Sequence, residues 1–536
     1  MTDINIHSNQ NESKMFSKGE NTMHFYDQLQ QTIANGPDNR SRTENGALGY
    51  KTTGRKLLDL NFAVSSLRSK SETEVEKMFA EACGDDLNTA IVWLFFSRDI
   101  RGGMGERRLF RIGLRYLARE FPKKVIQLLP LIAEYGRWDD VLCLLDTKAE
   151  ADALDLIKRQ LADDMRNMKA GKSISLAAKW MPSLNTSSAD TVANAEKIRS
   201  FLNITPRQYR KMLSALRRHL DVTERKMSAN QWEGIRYEAV PSRANLNYNS
   251  AFLRHDEQRR REYLGKLEKG ETKINSSVLF PHDIVHKYLG GSNYRYSSIS
   301  QDATLEAMWK ALPNTVKDGE GTIVVADGSG SMTCRVGNTG VTAWEVAHAL
   351  AIYFAERLPG VYKNQYITFS SRPQLVRLGG AGTLAGKLRI ATEHAECSNT
   401  NLEAVFNLIL DTAMRNRLTQ KELPKNILVI SDMEFDEGAN GRSWGDSFRS
   451  PSKTLFEEIA ARYRRAGYRL PRLVFWNVNS RTGTIPVKEN DLGVALVSGF
   501  SPNVAKMVMS GKLDPMAALL ETLNAPRYDA VREALR

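Results

Sequence analysis

The chain has 536 residues, 42% hydrophobic and 26% charged, with a formal net charge of +13. This points to a globular protein of more than one domain, and the absence of an apolar run of about 18 residues excludes a membrane-spanning helix. The first residues are polar and lack the apolar core of a secretory signal, so a cytoplasmic location with no membrane partner is expected. Four scattered cysteines, Cys83, Cys143, Cys334 and Cys397, have no C-x-x-C spacing and read as reduced thiols. The positive charge favours polyanionic partners and says nothing about fold.

Residues 1–45 are rich in Asn, Ser, Asp and Gly and read as a disordered or weakly ordered arm. Residues 46–300 carry a helical pattern. "DLNTAIVWLFFSRDI" has a polar start and a long apolar run. "GERRLFRIGLRYLAREFP" places Phe110, Leu114 and Leu117 on one side and Arg107, Arg111, Arg115 and Arg119 at i, i+4 spacing on another. Pro122 is expected to end that helix. "PRQYRKMLSALRRHLDVTERKM" is a second basic helix, with Pro206 suited to its first turn. Short amphipathic helices of this kind predict a bundle or a helical-repeat array.

From residue 301 to 536 strand-length apolar runs alternate with helical patterns. "TIVVAD", "NQYITFSS", "PQLVRL", "KNILVISD", "PRLVFWNVN" and "GVALVSGF" read as strands, the second and third as a hairpin-like pair. Helices are expected at "TAWEVAHALAIYFAERL", "NLEAVFNLILDTAMRN" and "TLFEEIAARYRRAG". Continuous apolar strands separated by helices predict a doubly wound, mostly parallel sheet covered on both faces. The fold class expected is therefore α plus α/β. Ligands of such sheets bind outside the carboxyl ends of the strands, at the topological switch point.

Two of the apolar strands end on aspartate, at Asp327 and Asp432. Asp327 opens D-G-S-G-S, which puts Ser329 and Ser331 in one tight turn, and "CSNTNLEAVF" brings Thr400 just before a helix. Hydroxyl and carboxylate oxygens without histidine or cysteine suit a hard cation, Mg²⁺ or Mn²⁺, rather than zinc. The competing reading is that Asp327 and Ser329 only cap the next element.

D-G-S-G-S-M at Asp327–Met332, S-N-T-N at Ser398–Asn401 and I-S-D at Ile430–Asp432 resemble the metal-ion-dependent adhesion site of von Willebrand factor A (vWA) domains. The resemblance covers roughly residues 315–500. It implies that Ser329, Ser331 and Thr400 contact the metal, with Asp327 and Asp432 acting directly or through water. It also implies an open coordination position for an acidic residue of a protein partner. Met433 stands where glycine is more usual, and Glu434 and Asp436 add acidic groups nearby. A helical domain followed by a vWA domain resembles the Ro ribonucleoprotein (TROVE) family. "SRDIRGGMGERRLFRIGLRYLA" is similar to a related uncharacterised family of bacteria, phages and plants. In Ro proteins HEAT-like helical repeats close into a ring that binds structured RNA outside and single-stranded ends within.

Basic residues cluster accordingly. Residues 97–124 hold nine basic against three acidic side chains, and residues 206–227 hold seven against two. Arg101, Arg107, Arg108, Arg111, Arg115, Arg119, Arg217 and Arg218 are the expected RNA contacts, with Tyr116, Tyr135, Trp138 and Tyr209 near for stacking. The alternative is a stripe that pairs with a neighbouring helix. "RDIRGGMGERR" lacks the G-K-[ST] of a phosphate loop and reads as a turn whose Asp99 and Glu106 pair with arginines nearby. The histidines show no ligand spacing and read as surface or packed residues.

The sequence thus leads to a non-enzymatic RNA-binding scaffold with a Mg²⁺-dependent vWA domain. The second reading is a vWA protein-interaction module without RNA, in an ATPase-associated or phage-particle role. A hydrolase ranks below both, because no general base is placed and Asp327 lacks the second aspartate of a D-x-D pattern.

Overall fold

The computed structural model describes residues 39–44, 48–290, 299–316, 321–369, 372–395, 401–435, 455–485, 495–505, 507 and 514–536. Its first described elements are two short antiparallel strands, β1 (Arg40–Arg42) and β2 (Leu48–Tyr50). The helical region follows with α1 (Lys56–Ala63), α2 (Glu72–Asp85), α3 (Leu87–Arg98), α4 (Arg107–Glu120), α5 (Pro122–Tyr135), α6 (Trp138–Val141) and α7 (Glu150–Lys169). It continues through α8 (Ala177–Trp180), α9 (Ala189–Phe201), α10 (Pro206–His219), α11 (Thr223–Ser228), α12 (Ser242–His255), α13 (Glu257–Glu268), α14 (Pro281–Leu289) and α15 (Ala303–Lys310). Pro122 does not merely end α4: it occupies the first turn of α5, where its missing N–H costs nothing.

The carboxyl-terminal part is a six-stranded sheet of β3 (Thr322–Asp327), β4 (Gln365–Phe369), β5 (Gln374–Arg377), β6 (Asn426–Ser431), β7 (Arg472–Asn477) and β8 (Ala495–Ser498). The strand order is β5-β4-β3-β6-β7-β8, parallel except for the β4–β5 pair. Helices α16 (Ala343–Arg357), α17 (Leu384–Glu393), α18 (Leu402–Arg415) and α19 (Leu455–Arg465) connect the strands, and α20 (Pro515–Leu523) and α21 (Asp529–Ala534) close the chain. The fold is therefore α plus α/β, and every strand expected from the sequence forms.

Side chains alternate across the sheet with the two-residue period of a strand. Val324, Ala326, Leu428, Ile430, Val474 and Trp476 face one hydrophobic core, while Ile323, Val325, Ile427, Val429, Leu473 and Phe475 face another. The first core also holds the apolar faces of α1 to α7, so it runs from the helical region into the sheet. Helix α16 is buried on every side from Ala343 to Ala355, in keeping with a sequence that is apolar there except at Glu345 and His348.

The expected arm at residues 1–45 ends differently. Residues 1–38 lie outside the described residues, but Arg40–Arg42 form β1, and Thr43 Oγ1 donates to the carbonyl of Phe435 at 2.6 Å. Tyr50 and Ile485 exchange backbone hydrogen bonds at 2.9 and 2.8 Å. Backbone pairing to the sheet half orders a segment whose composition alone carries no such signal.

Candidate metal centre

Strand β3 pairs with β4 on one side and β6 on the other, so the switch point lies between β3 and β6. Asp327 and Asp432 sit at the carboxyl ends of those two strands, both fully buried. The D-G-S-G-S turn brings Ser329 and Ser331 beside them. The Ser329 N–H donates to Asp327 Oδ1 at 2.9 Å, and the Ser329 and Ser331 hydroxyls lie 3.0 Å apart. Ser431 Oγ donates to Asp327 Oδ2 at 2.7 Å, and the Glu434 N–H reaches Asp432 Oδ1 at 3.3 Å. Among the described residues Asp432 Oδ2 has no hydrogen-bond donor, and Arg481 Nη2 lies 3.5 Å from it.

Burial pushes both carboxyls above the usual carboxylate range. The Asp432 charge adds to the rise at Asp327, and the Ser331 hydroxyl and Arg481 oppose it at Asp432. Two adjacent buried carboxylates call for a compensating positive charge. The oxygens of Ser329, Ser331, Asp327 and Asp432 fit a hard divalent cation. Among the described residues no group of three or more His, Cys, Asp and Glu gathers as metal ligands, so an ion here depends on the serine hydroxyls. Thr400 and Asp436 lie outside the described residues.

Three neighbouring residues do work that the motif did not announce. Ser431 holds Asp327 and also accepts the Met433 N–H at 2.9 Å. Glu434 is a loop anchor: its Oε1 accepts the N–H groups of Arg481 and Thr482 at 2.7 and 2.9 Å, and its Oε2 accepts the Glu44 N–H at 2.8 Å. Arg481, so positioned, bridges Asp432 and Glu44. The available signal was the polar end of β7 at this same sheet edge, where "NVNSR" follows the apolar run.

The arginines of α4 pair with neighbouring elements, the arrangement given by the alternative reading of the stripe. Arg111 pairs with Asp139 and Asp140 at 2.8 and 2.6 Å, Arg115 with Glu72 at 2.6 Å, and Arg119 with Glu76 and Glu120 at 2.8 and 2.7 Å. Arg107 stands 4.0 Å from Asp139, and Arg108 donates to the carbonyls of Leu67 and Lys70. The stripe ties α4 to α2 and to the α6 turn, because those elements present carboxylates along its length. Arg101 is exposed beside Asp99, and Arg217 and Arg218 lie apart on α10.

The glycine loop between α3 and α4 joins distant parts of the chain. Asp99 accepts Arg527 Nε at 2.6 Å and Nη2 at 3.0 Å, while Glu106 accepts Arg68 Nη2 at 2.5 Å. Those arginines are remote in sequence rather than local. Gly103 is required there, since a Cβ would lie 1.9 Å from the Phe96 carbonyl oxygen. His282 and His348 are packed and neutral, burial pulling them down to about 4 and about 3. Among the described residues Cys83, Cys143 and Cys334 are free thiols, and no helix is long and apolar enough to cross a membrane.

Comparison with known proteins adds two family matches and one relative. Residues 151–323 match a domain of unknown function, DUF2828, and residues 321–525 match another, DUF7788. The two stretches meet at the start of β3. "Uncharacterized protein L728" of Acanthamoeba polyphaga mimivirus is 30% identical over 525 residues, covering 90% of this chain and 87% of that protein.

Proposed function

The chain belongs to one family with the mimivirus protein L728, and we propose that it is a Ro-like scaffold whose vWA-type domain docks a protein partner through a divalent metal and whose HEAT-like helical half binds RNA. The observation that carries the metal reading is the buried pair Asp327 and Asp432 at the switch point, flanked by two serine hydroxyls, with no hydrogen-bond donor to Asp432 Oδ2 among the described residues. A bound Mg²⁺ would supply a Lewis-acidic position for an incoming carboxylate. Ser329, Ser331 and Asp432 would hold the ion, and the Ser431 hydroxyl fixes the Asp327 carboxylate beside them.

We read the chain as a scaffold rather than an enzyme. The ion pairs of the α4 arginines favour a second reading, a vWA-type interaction module that does not bind RNA.

Mg²⁺ or Mn²⁺ should raise the melting temperature of the full chain, by linkage to the folded state. Ser329→Ala and Asp432→Asn should each abolish that shift while the metal-free variants remain folded. A metal shift that survives both substitutions would remove the site assignment.

A further inference from the structure

Helix α10 presents Arg210, Ser214, Arg217 and Arg218 at i, i+4, i+7 and i+8, one face of a helix. Together with Arg225 of α11 they line a cleft of about 460 Å³ in which no carboxylate takes part. Arg217 is half-buried and, among the described residues, donates to neutral acceptors alone: the carbonyls of Ala178 and Met181 at 2.8 and 2.7 Å, and Ser183 Oγ at 3.0 Å. Arg210, Arg218 and Arg225 have no ion-pair partner among the described residues. The two acids of the same turn are engaged elsewhere. Asp221 pairs with Lys226 at 2.7 Å and Glu224 stands 3.7 Å from Lys179, and both acids line the neighbouring cleft instead. This is the reverse of α4, whose arginines meet carboxylates along the helix.

Four guanidiniums around one concavity, with no carboxylate partner among the described residues, favour an anion with many acceptor oxygens, and phosphate matches the guanidinium fork. The cleft adjoins, at Val222, a second one of about 660 Å³ that carries Trp180 and the exposed Leu176. The second cleft is mixed, with Arg137 and Lys179 beside the Trp180 ring, and a guanidinium cluster next to an aromatic ring suits a chain that alternates phosphates with flat bases. We propose that this pair of clefts is the seat of single-stranded RNA, phosphates on the α10–α11 arginines and bases toward Trp180. The proposal rests on the RNA-binding reading and, of its expected contacts, keeps Arg217 and Arg218 on α10 rather than the α4 stripe.

The test is fluorescence anisotropy of a labelled short oligouridine with the full chain, at several salt concentrations. Arg218→Gln/Arg225→Gln removes two charges from exposed or half-exposed positions and is checked for unaltered unfolding. It should weaken binding by about tenfold or more and lower the slope of log affinity against log salt by about 1.4. Arg115→Ala/Arg119→Ala should leave affinity within about twofold of the parent chain. If the parent chain binds and the α10–α11 variant binds equally well, the cleft assignment is overturned while RNA binding stands. If the parent chain does not bind at low salt, the RNA reading and the cleft fall together.

Discussion

Met433 follows the second aspartate with a backbone φ of 64°, the left-handed region that a glycine enters freely. The departure from glycine therefore changes the side chain, not the path of the loop. For a residue with a Cβ that conformation costs about 1–2 kcal/mol. Met433 is only 1% exposed and packs into the second core, and burying such a side chain contributes about 1.5–3 kcal/mol. The two effects are of like size, so methionine is tolerated where glycine would relax the backbone. Arg481 is the residue whose charge bears most directly on the site. Its guanidinium lies 3.5 Å from Asp432 Oδ2 and 2.5 Å from Glu44 Oε2. A fixed cation at that distance repels an entering divalent ion. Arg481→Met should therefore raise Mg²⁺ affinity roughly tenfold, read by titration calorimetry. An affinity that stays level or falls would show that Arg481 does not compete with the ion.

Among the elements, α4 shows how an amphipathic helix is read correctly and its charges are not. Its apolar face is buried as the spacing predicts, at Leu109, Phe110, Leu114 and Leu117. The destination of its arginines depends on Glu72 and Glu76 of α2 and on Asp139 and Asp140, all distant in sequence. Position along the helix sets how much each pair matters. Asp140 is fully buried and serves Arg98 and Arg111 together. Asp140→Ala should destabilise the chain by about 3–5 kcal/mol, because two guanidiniums lose their buried counter-ion. Arg115→Ala, from a solvent-facing pair, should cost under about 1 kcal/mol. Denaturant unfolding of the two variants measures both, and comparable losses would contradict this account of the stripe.

At the level of the whole molecule the helical region and the sheet are built on one core. Ser65 Oγ lies 2.7 Å from Ser498 Oγ, which anchors the α1 end onto β8. Arg527 and Tyr528, just before α21, return to the α3–α5 face through Asp99 and a stacked Tyr135–Tyr528 pair. The β1–β2 segment closes on residues 484–485 from the other side. Calorimetry of the full chain should therefore show a single cooperative transition, and neither half severed near residue 320 should fold alone. Two resolved transitions, or a stable isolated half, would show that the shared core is dispensable.

The strands, the helices and the pair of strand-end aspartates were legible in the amino-acid order. Apolar periodicity and run length are local properties, and a parallel sheet places the ends of neighbouring strands on one edge. Ser431 and Arg481 were less so, since their roles depend on which strand neighbours which. The joining of the two halves, the docking of Arg40–Arg42 and the partners of each arginine were decided only in three dimensions. Charge pairing acts over about 4 Å, and the acids that meet the α4 arginines, like the acids that turn away from the α10 cleft, are brought there or kept away by packing alone.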